Sequence, residues 1–266
     1  MKHVTFAYLL TILAFVGCNE GGSPTGPDPI LLPASATGGG DFGVAGGRSV
    51  EIPEDFPFQR ILCFGDSVTL GITQETIHGS EGMRPTLAGV EGYPAKLARR
   101  LEARYGTGIK IFVEAVGGEN SREALDRIDT FIHRHQPDLV LILTGIVDVN
   151  VALPLVPRFP VVRESIAEMI RITQLRGAVP IAGTYPLVNP DGFRVGAIEH
   201  ITRLNTVIRQ EANAKSAAIA DHEEASKRDF RGQGSDGLHP NNLGYEMMAD
   251  TWMAKIEEVL ATMGVT

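Results

Sequence analysis

The sequence predicts an α/β protein, a three-layer α/β/α sandwich on a mainly parallel sheet of five strands. Two observations carry this expectation. From about Ile52 onward, short β-rich runs alternate with segments of helical period, the pattern of strands and helices following one another around a sheet. The β-rich runs are also nearly all apolar, which marks strands covered by helices on both faces.

The elements follow in chain order. The first strand is expected at Arg60–Phe64. Leu97, Leu101 and Tyr105 then recur every four residues and predict a helix, and Ile109–Val116 reads as the second strand. Leu125, Ile128 and Ile132 fall at helical spacing before the third strand, Asp138–Thr144. Ile166, Met169, Ile170 and Thr173 do the same until Gly177 stops the helix. Val179–Thr184 and Ala217–Asp221 are the fourth and fifth strands. A last helix runs from Leu243 through Met247, Trp252, Ile256 and Leu260. No internal repeat is present.

The chain divides into three parts. Met1-Lys2-His3 is a short basic start, and the apolar run Val4–Gly17 is too short to span a bilayer comfortably, which suits a secretion signal over residues 1–17. That run ends in Phe15-Val16-Gly17-Cys18, which resembles the lipobox of bacterial lipoproteins, although Phe15 stands where such boxes usually carry Leu. The resemblance implies cleavage before Cys18, a lipid on its sulfur, and a membrane anchor in the bacterial cell envelope. Asn19 in place of Asp points towards the outer membrane. The competing reading is an ordinary signal peptide that contains a cysteine. Residues 18–52, with GGSPTGPDP and ATGGGDFGVAGG, are too rich in Gly, Pro, Ser and Thr to bury a core and read as a flexible tether. Residues 53–266 are the folded domain.

A net charge of -8 without a stripe of Lys and Arg excludes a nucleic-acid partner. With Cys18 lipidated, Cys63 is the only other cysteine, so no intramolecular disulfide can form. Cys63 lies in an apolar strand and reads as a small buried hydrophobe. No cofactor is implied, and no His/Asp/Glu set has ligand spacing that suggests a metal.

Functional sites of such sheets lie at the carboxyl ends of the strands. Three loops meet there: Gly65-Asp66-Ser67, Gly117-Gly118-Glu119-Asn120-Ser121 and Gly145-Ile146-Val147-Asp148. Ser67 could turn the chain and cap a helix, or it could be a nucleophile, which needs a base and a group to orient that base. Of the seven histidines, His133 and His135 sit at a polar helix end, where a favourable charge near the C-terminus is the plainer role. His78 lies in a Gly-rich loop, His200 on a helix and His222 just past the fifth strand. His239, in Gly234-Ser235-Asp236-Gly237-Leu238-His239-Pro240-Asn241, has Asp236 three residues before it, close enough to pair with the imidazole.

GDSVTLG near the start of the domain, GGENS after the second strand and SDGLHPNNLGY near the end resemble the GDSL/SGNH hydrolases. The resemblance covers about Arg60 to Leu260, with the blocks in the family's order, and Gly92-Tyr93-Pro94 looks like the start of the family's first helix. It implies the flavodoxin-like fold of that family and a serine esterase or lipase acting through an acyl-enzyme. Ser67 would be the nucleophile, His239 the general base and Asp236 its orienting partner. The N–H groups of Ser67 and Gly118 would face the oxyanion. Asp66 and Asp148 would hold their loops through bonds to backbone. The expected substrate is a carboxylic ester with a short acyl or acetyl group on carbohydrate or lipid.

One block departs from the family. Its Gly-x-Asn-Asp signature is Gly145-Ile146-Val147-Asp148 here, and valine cannot supply the asparagine amide as an oxyanion donor. Asn150 could reach back in its place, or could simply turn the loop. The alternative to an esterase is a catalytically weak or inactive cell-surface binding protein on the same scaffold.

Overall fold

The structure, a computed structural model, describes residues 56–73, 92–149, 157–189, 191, 197–227, 232 and 237–265, together with the backbone of 30–32. Five strands form the parallel body of one sheet: β2 (Arg60–Gly65), β3 (Lys110–Ala115), β4 (Leu139–Leu143), β5 (Val179–Gly183) and β6 (Ala218–Ala220). Every β-rich run expected from the sequence is a strand; the first extends one residue further, to Gly65, and the other four are shortened by one or two residues. β1 (Ile30–Leu32) adds an antiparallel edge beside β3. It lies inside the segment whose composition reads as a tether, where Ile30-Leu31-Leu32 is an apolar triplet among Gly and Pro.

The sheet order is β1-β3-β2-β4-β5-β6. The chain therefore starts its parallel body in the middle, moves out to β3, and returns across β2 to β4. This reversal is the topological switch point of doubly wound sheets, where loops splay apart and leave a crevice. Register fixes the level of that crevice. Gly65 pairs with Ala115 on one side and Leu143 on the other, so the loops after β2, β3 and β4 leave the sheet at one height.

The helices are α1 (Ser67–Leu70), α2 (Tyr93–Tyr105), α3 (Ser121–His135), α4 (Ile146–Val149), α5 (Phe159–Leu175), α6 (Ile198–Ala214), α7 (His222–Ser226) and α8 (Asn242–Thr262). α3, α5 and α6 pack side by side in one layer, while α2, α7 and α8 pack together in the other. The apolar positions at helical spacing face the sheet: Leu97 and Leu101 of α2, Ile128 and Ile132 of α3, and Ile166, Met169, Ile170 and Thr173 of α5 are buried.

The last helix corrects the sequence reading in one respect. Leu243 is 41% exposed, and the buried stripe runs instead through Tyr245, Met248, Trp252, Ile256 and Leu260. The Asn241 side chain accepts the Gly244 N–H at 3.0 Å and starts the helix at Asn242. At 100° per residue, that start turns Leu243 away from the sheet.

Cys63 is fully buried in β2, and burial pushes its thiol far above the usual cysteine range, as expected of an inert core residue. His135 departs from the role expected of it. It is buried, its Nε2 lies 2.7 Å from Glu114 Oε1, and its ring stacks on Phe112. The helix C-terminus is served by Arg60 instead, whose Nε donates to the His135 carbonyl at 2.7 Å. Among the described residues, no helix is long and apolar enough to cross a membrane.

Candidate active site

Ser67 begins α1 directly after β2. The turn between them is tight because Gly65 has no side chain: a Cβ there would lie 2.2 Å from the Leu143 carbonyl oxygen and 2.4 Å from Thr69 Oγ1. Asp66 caps the short helix, its Oδ1 accepting the Val68 N–H at 3.0 Å. The cap sets the direction of the Ser67 side chain, and the two readings of Ser67 are therefore compatible.

The Ser67 hydroxyl points at a histidine from the far end of the chain. Its Oγ lies 3.0 Å from His239 Nε2, across 172 residues of sequence. Both side chains are almost wholly buried, so the contact is shielded from competing water. His239 sits in the turn before α8, and three contacts hold that helix in place. Lys96 of α2, itself buried, donates to Glu246 Oε1 at 2.6 Å and to Asn242 Oδ1 at 2.8 Å. The Tyr245 hydroxyl donates to the Ile72 carbonyl at 2.7 Å, just beyond α1. The base is thus tied to the nucleophile's own loop. Asp236, expected to orient His239, lies outside the described residues, as do Asn150 and Cys18.

Gly118 follows β3 on the same edge. Its φ of +82° is a left-handed conformation that favours glycine. The preceding Gly117 is close to the nucleophile, with its Cβ position 3.9 Å from Ser67 Cβ. Among the described residues, no backbone carbonyl takes the N–H of Ser67 or of Gly118. Val147 is half-buried in α4 and packs against the core, so it contributes bulk and no hydrogen bond.

The two aspartates expected to hold loops do so. Asp148 Oδ2 accepts the Ser121 N–H at 2.7 Å, joining the loop after β4 to the start of α3. Asp66 has a second partner that the sequence did not disclose, the Tyr185 hydroxyl, which donates to Oδ2. Tyr185 stands two residues past β5, on the functional edge, and its backbone is clamped by Asn205. Asn205 Oδ1 accepts the Tyr185 N–H at 2.7 Å and its Nδ2 donates to the Tyr185 carbonyl at 2.8 Å. Burial raises the Asp66 carboxyl to about 6, against the opposing pull of the bonds from Tyr185 and Val68.

A serine hydroxyl on a buried imidazole, with two glycine-borne or helix-start N–H groups alongside, can open a carbonyl by nucleophilic attack. The comparisons agree with this chemistry. The profile of the GDSL-like lipase/acylhydrolase family matches residues 63–247, and the chain belongs to that family. No curated protein matches the sequence. Among solved structures, a lipase/acylhydrolase from Enterococcus faecalis shares 22% identity over 76% of this chain and 96% of its own, with a TM-score of 0.60. A variant of an acetyl xylan esterase from Geobacillus stearothermophilus shares 22% identity over 74% of this chain and 94% of its own, with a TM-score of 0.61. An α/β hydrolase from the metagenome of Lake Arreo shares 21% over 75% and 95%, with a TM-score of 0.59. At these identities the likeness is one of fold.

Proposed function

We propose that this chain is a serine esterase, with Ser67 as nucleophile and His239 as general base. The observation that carries the reading is the 3.0 Å contact between Ser67 Oγ and His239 Nε2 in a buried setting. His239 takes the hydroxyl proton as Oγ attacks the acyl carbon. The oxyanion of the tetrahedral intermediate receives the N–H groups of Ser67 and Gly118. Collapse expels the alcohol, which leaves with the proton from His239. Water then enters by the same route, activated by His239, and frees the acid. Asp236 holds the imidazolium in this scheme.

The acyl group we propose is short, an acetyl or similar group carried on carbohydrate or lipid. Ile72 Cδ1 and Leu70 Cδ2 stand 3.1 and 4.0 Å from the Cβ position of Gly117, beside the nucleophile, which narrows the space near the acyl carbon. The fold neighbours described as acetyl xylan esterases favour the same class. The lipobox at Phe15–Cys18 supports placement at the bacterial envelope through a lipid on Cys18.

Val147 supports a second reading, a binding protein that has kept the scaffold and lost most turnover. Hydrolysis of p-nitrophenyl acetate by the wild type and by Ser67→Ala decides between them. The esterase reading expects turnover and fluorophosphonate labelling that both vanish in Ser67→Ala. Equal background rates and no labelling of folded protein would overturn it.

A further inference from the structure

We propose that Arg127 and Glu119 form a positioning pair for the oxyanion hole, a role that rests on the esterase reading above. Glu119 immediately follows Gly118 and its side chain is buried. Arg127, one helical face further along α3, grips both of its oxygens, Nε to Oε1 at 2.5 Å and Nη2 to Oε2 at 2.7 Å. Such a fork fixes orientation as well as distance. The same guanidinium lies 5.0 Å from the ring centroid of Phe64 and 5.2 Å from that of Phe131. Phe64 belongs to the strand that ends in Gly65-Asp66-Ser67. One side chain therefore touches the loop that carries Gly118 and the strand that leads into the nucleophile's turn.

Gly118 itself needs such support. Among the described residues other than its chain neighbours, no heavy atom lies within 4 Å of the Cβ position on Gly118, so their packing on that side does not hold its left-handed backbone. The loop is tied on through Val116, whose N–H donates to the Gly65 carbonyl at 3.0 Å and whose carbonyl accepts the Glu119 N–H at 3.3 Å. Glu119 is thus held at its backbone by Val116 and at its side chain by Arg127, and Gly118 is the residue between those anchors. Because Val147 brings no amide, two N–H groups carry the oxyanion, and misplacement of either weakens half of the hole. Arg127 also neutralises a buried carboxylate next to the place where negative charge develops.

The test compares wild type, Ser67→Ala, Arg127→Lys and Glu119→Gln with p-nitrophenyl acetate, with active sites counted by fluorophosphonate titration. Lysine keeps the charge of Arg127 without its fork, and glutamine keeps the shape of Glu119 without its charge. Both variants are expected to lose about 10- to 100-fold in kcat per titrated site, with KM within about twofold and the pH–rate limb of His239 unmoved. A pair that merely supported the fold would lower the number of active sites and the Tm and leave kcat per site intact. Unchanged kcat per site in both variants overturns the proposal while wild-type turnover above Ser67→Ala keeps the esterase reading. Wild-type turnover equal to Ser67→Ala overturns both.

Discussion

On the esterase reading proposed above, Val147 is the side chain on which the rate turns. In the loop after β4, an amide would face the oxyanion, yet an isopropyl group packs against the core instead. Loss of one such donor costs about 10²–10³ in kcat, or roughly 3–4 kcal/mol of transition-state stabilisation. Val147→Asn is expected to recover part of this, raising kcat on p-nitrophenyl acetate by at least about tenfold at little cost in Tm, because the position is only half-buried. A folded Val147→Asn protein that is no faster would show that the hole is completed by other groups. The contact between Ser67 and His239 and the glycine turn at Gly118 were readable because the blocks that carry them are short and specific. Tyr185 and Arg127 were not. A tyrosine past a strand and an arginine on a helix are ordinary, and their partners become visible only when β5 and α3 are folded beside β2.

The strands and core-facing helices were legible because their apolar runs and periods leave little choice of partner. β4 is wholly apolar, β2 is apolar from Ile61 onward, and both sit in the middle of the sheet; β6, at the edge, is the shortest strand of the parallel body. The register of α8 was not legible, since Leu243 and Met247 also fit a helical period and only the Asn241 cap decides which stripe faces inward. On the esterase reading, that helix bears on turnover through Tyr245, whose hydroxyl reaches the Ile72 carbonyl. Tyr245→Phe removes this bond and leaves the ring in place. It is expected to cost about 1 kcal/mol in urea unfolding and to reduce kcat more than that loss of stability explains, since His239 shares the same helix start. Unaltered kcat with lowered stability would show that the tie serves packing alone.

Two buried groups give the molecule opposed responses to pH. Asp66, raised from 3.8 to about 6, holds a proton in the folded state that the unfolded chain gives up. Its contribution is full below 3.8 and is lost as pH rises through 6. His222 is fully buried, neither ring nitrogen has a hydrogen bond among the described residues, and burial lowers it from 6.5 to about 3. It stays neutral in the fold while the unfolded chain protonates, so its contribution is present above 6.5 and is lost as pH falls towards 3. Each group changes stability by about 1.4 kcal/mol per pH unit in its window, with opposite sign, and the windows overlap between about 4 and 6. Removing one should expose the other. Relative to wild type, Asp66→Asn is expected to make Tm climb more steeply with pH across this range, and His222→Phe to make it climb less. His222→Phe should also raise Tm at pH 5 more than at pH 7.5, because it removes two unpartnered nitrogens without opening a void. Parallel Tm–pH curves for wild type and either variant would refute the assignment for that group.

The contact between Ser67 and His239 spans 172 residues, and this has a consequence for the chain while it is being made. Ser67 leaves the ribosome early, directly after the first strand of the parallel body, and waits for an imidazole that is among the last parts synthesised. Until α8 docks and buries Trp252 against the sheet, Ser67 is an ordinary alcohol with no proton acceptor. On the esterase reading, hydrolytic power arrives in one step, with the closure of the last helix, and a nascent or partly unfolded chain carries none.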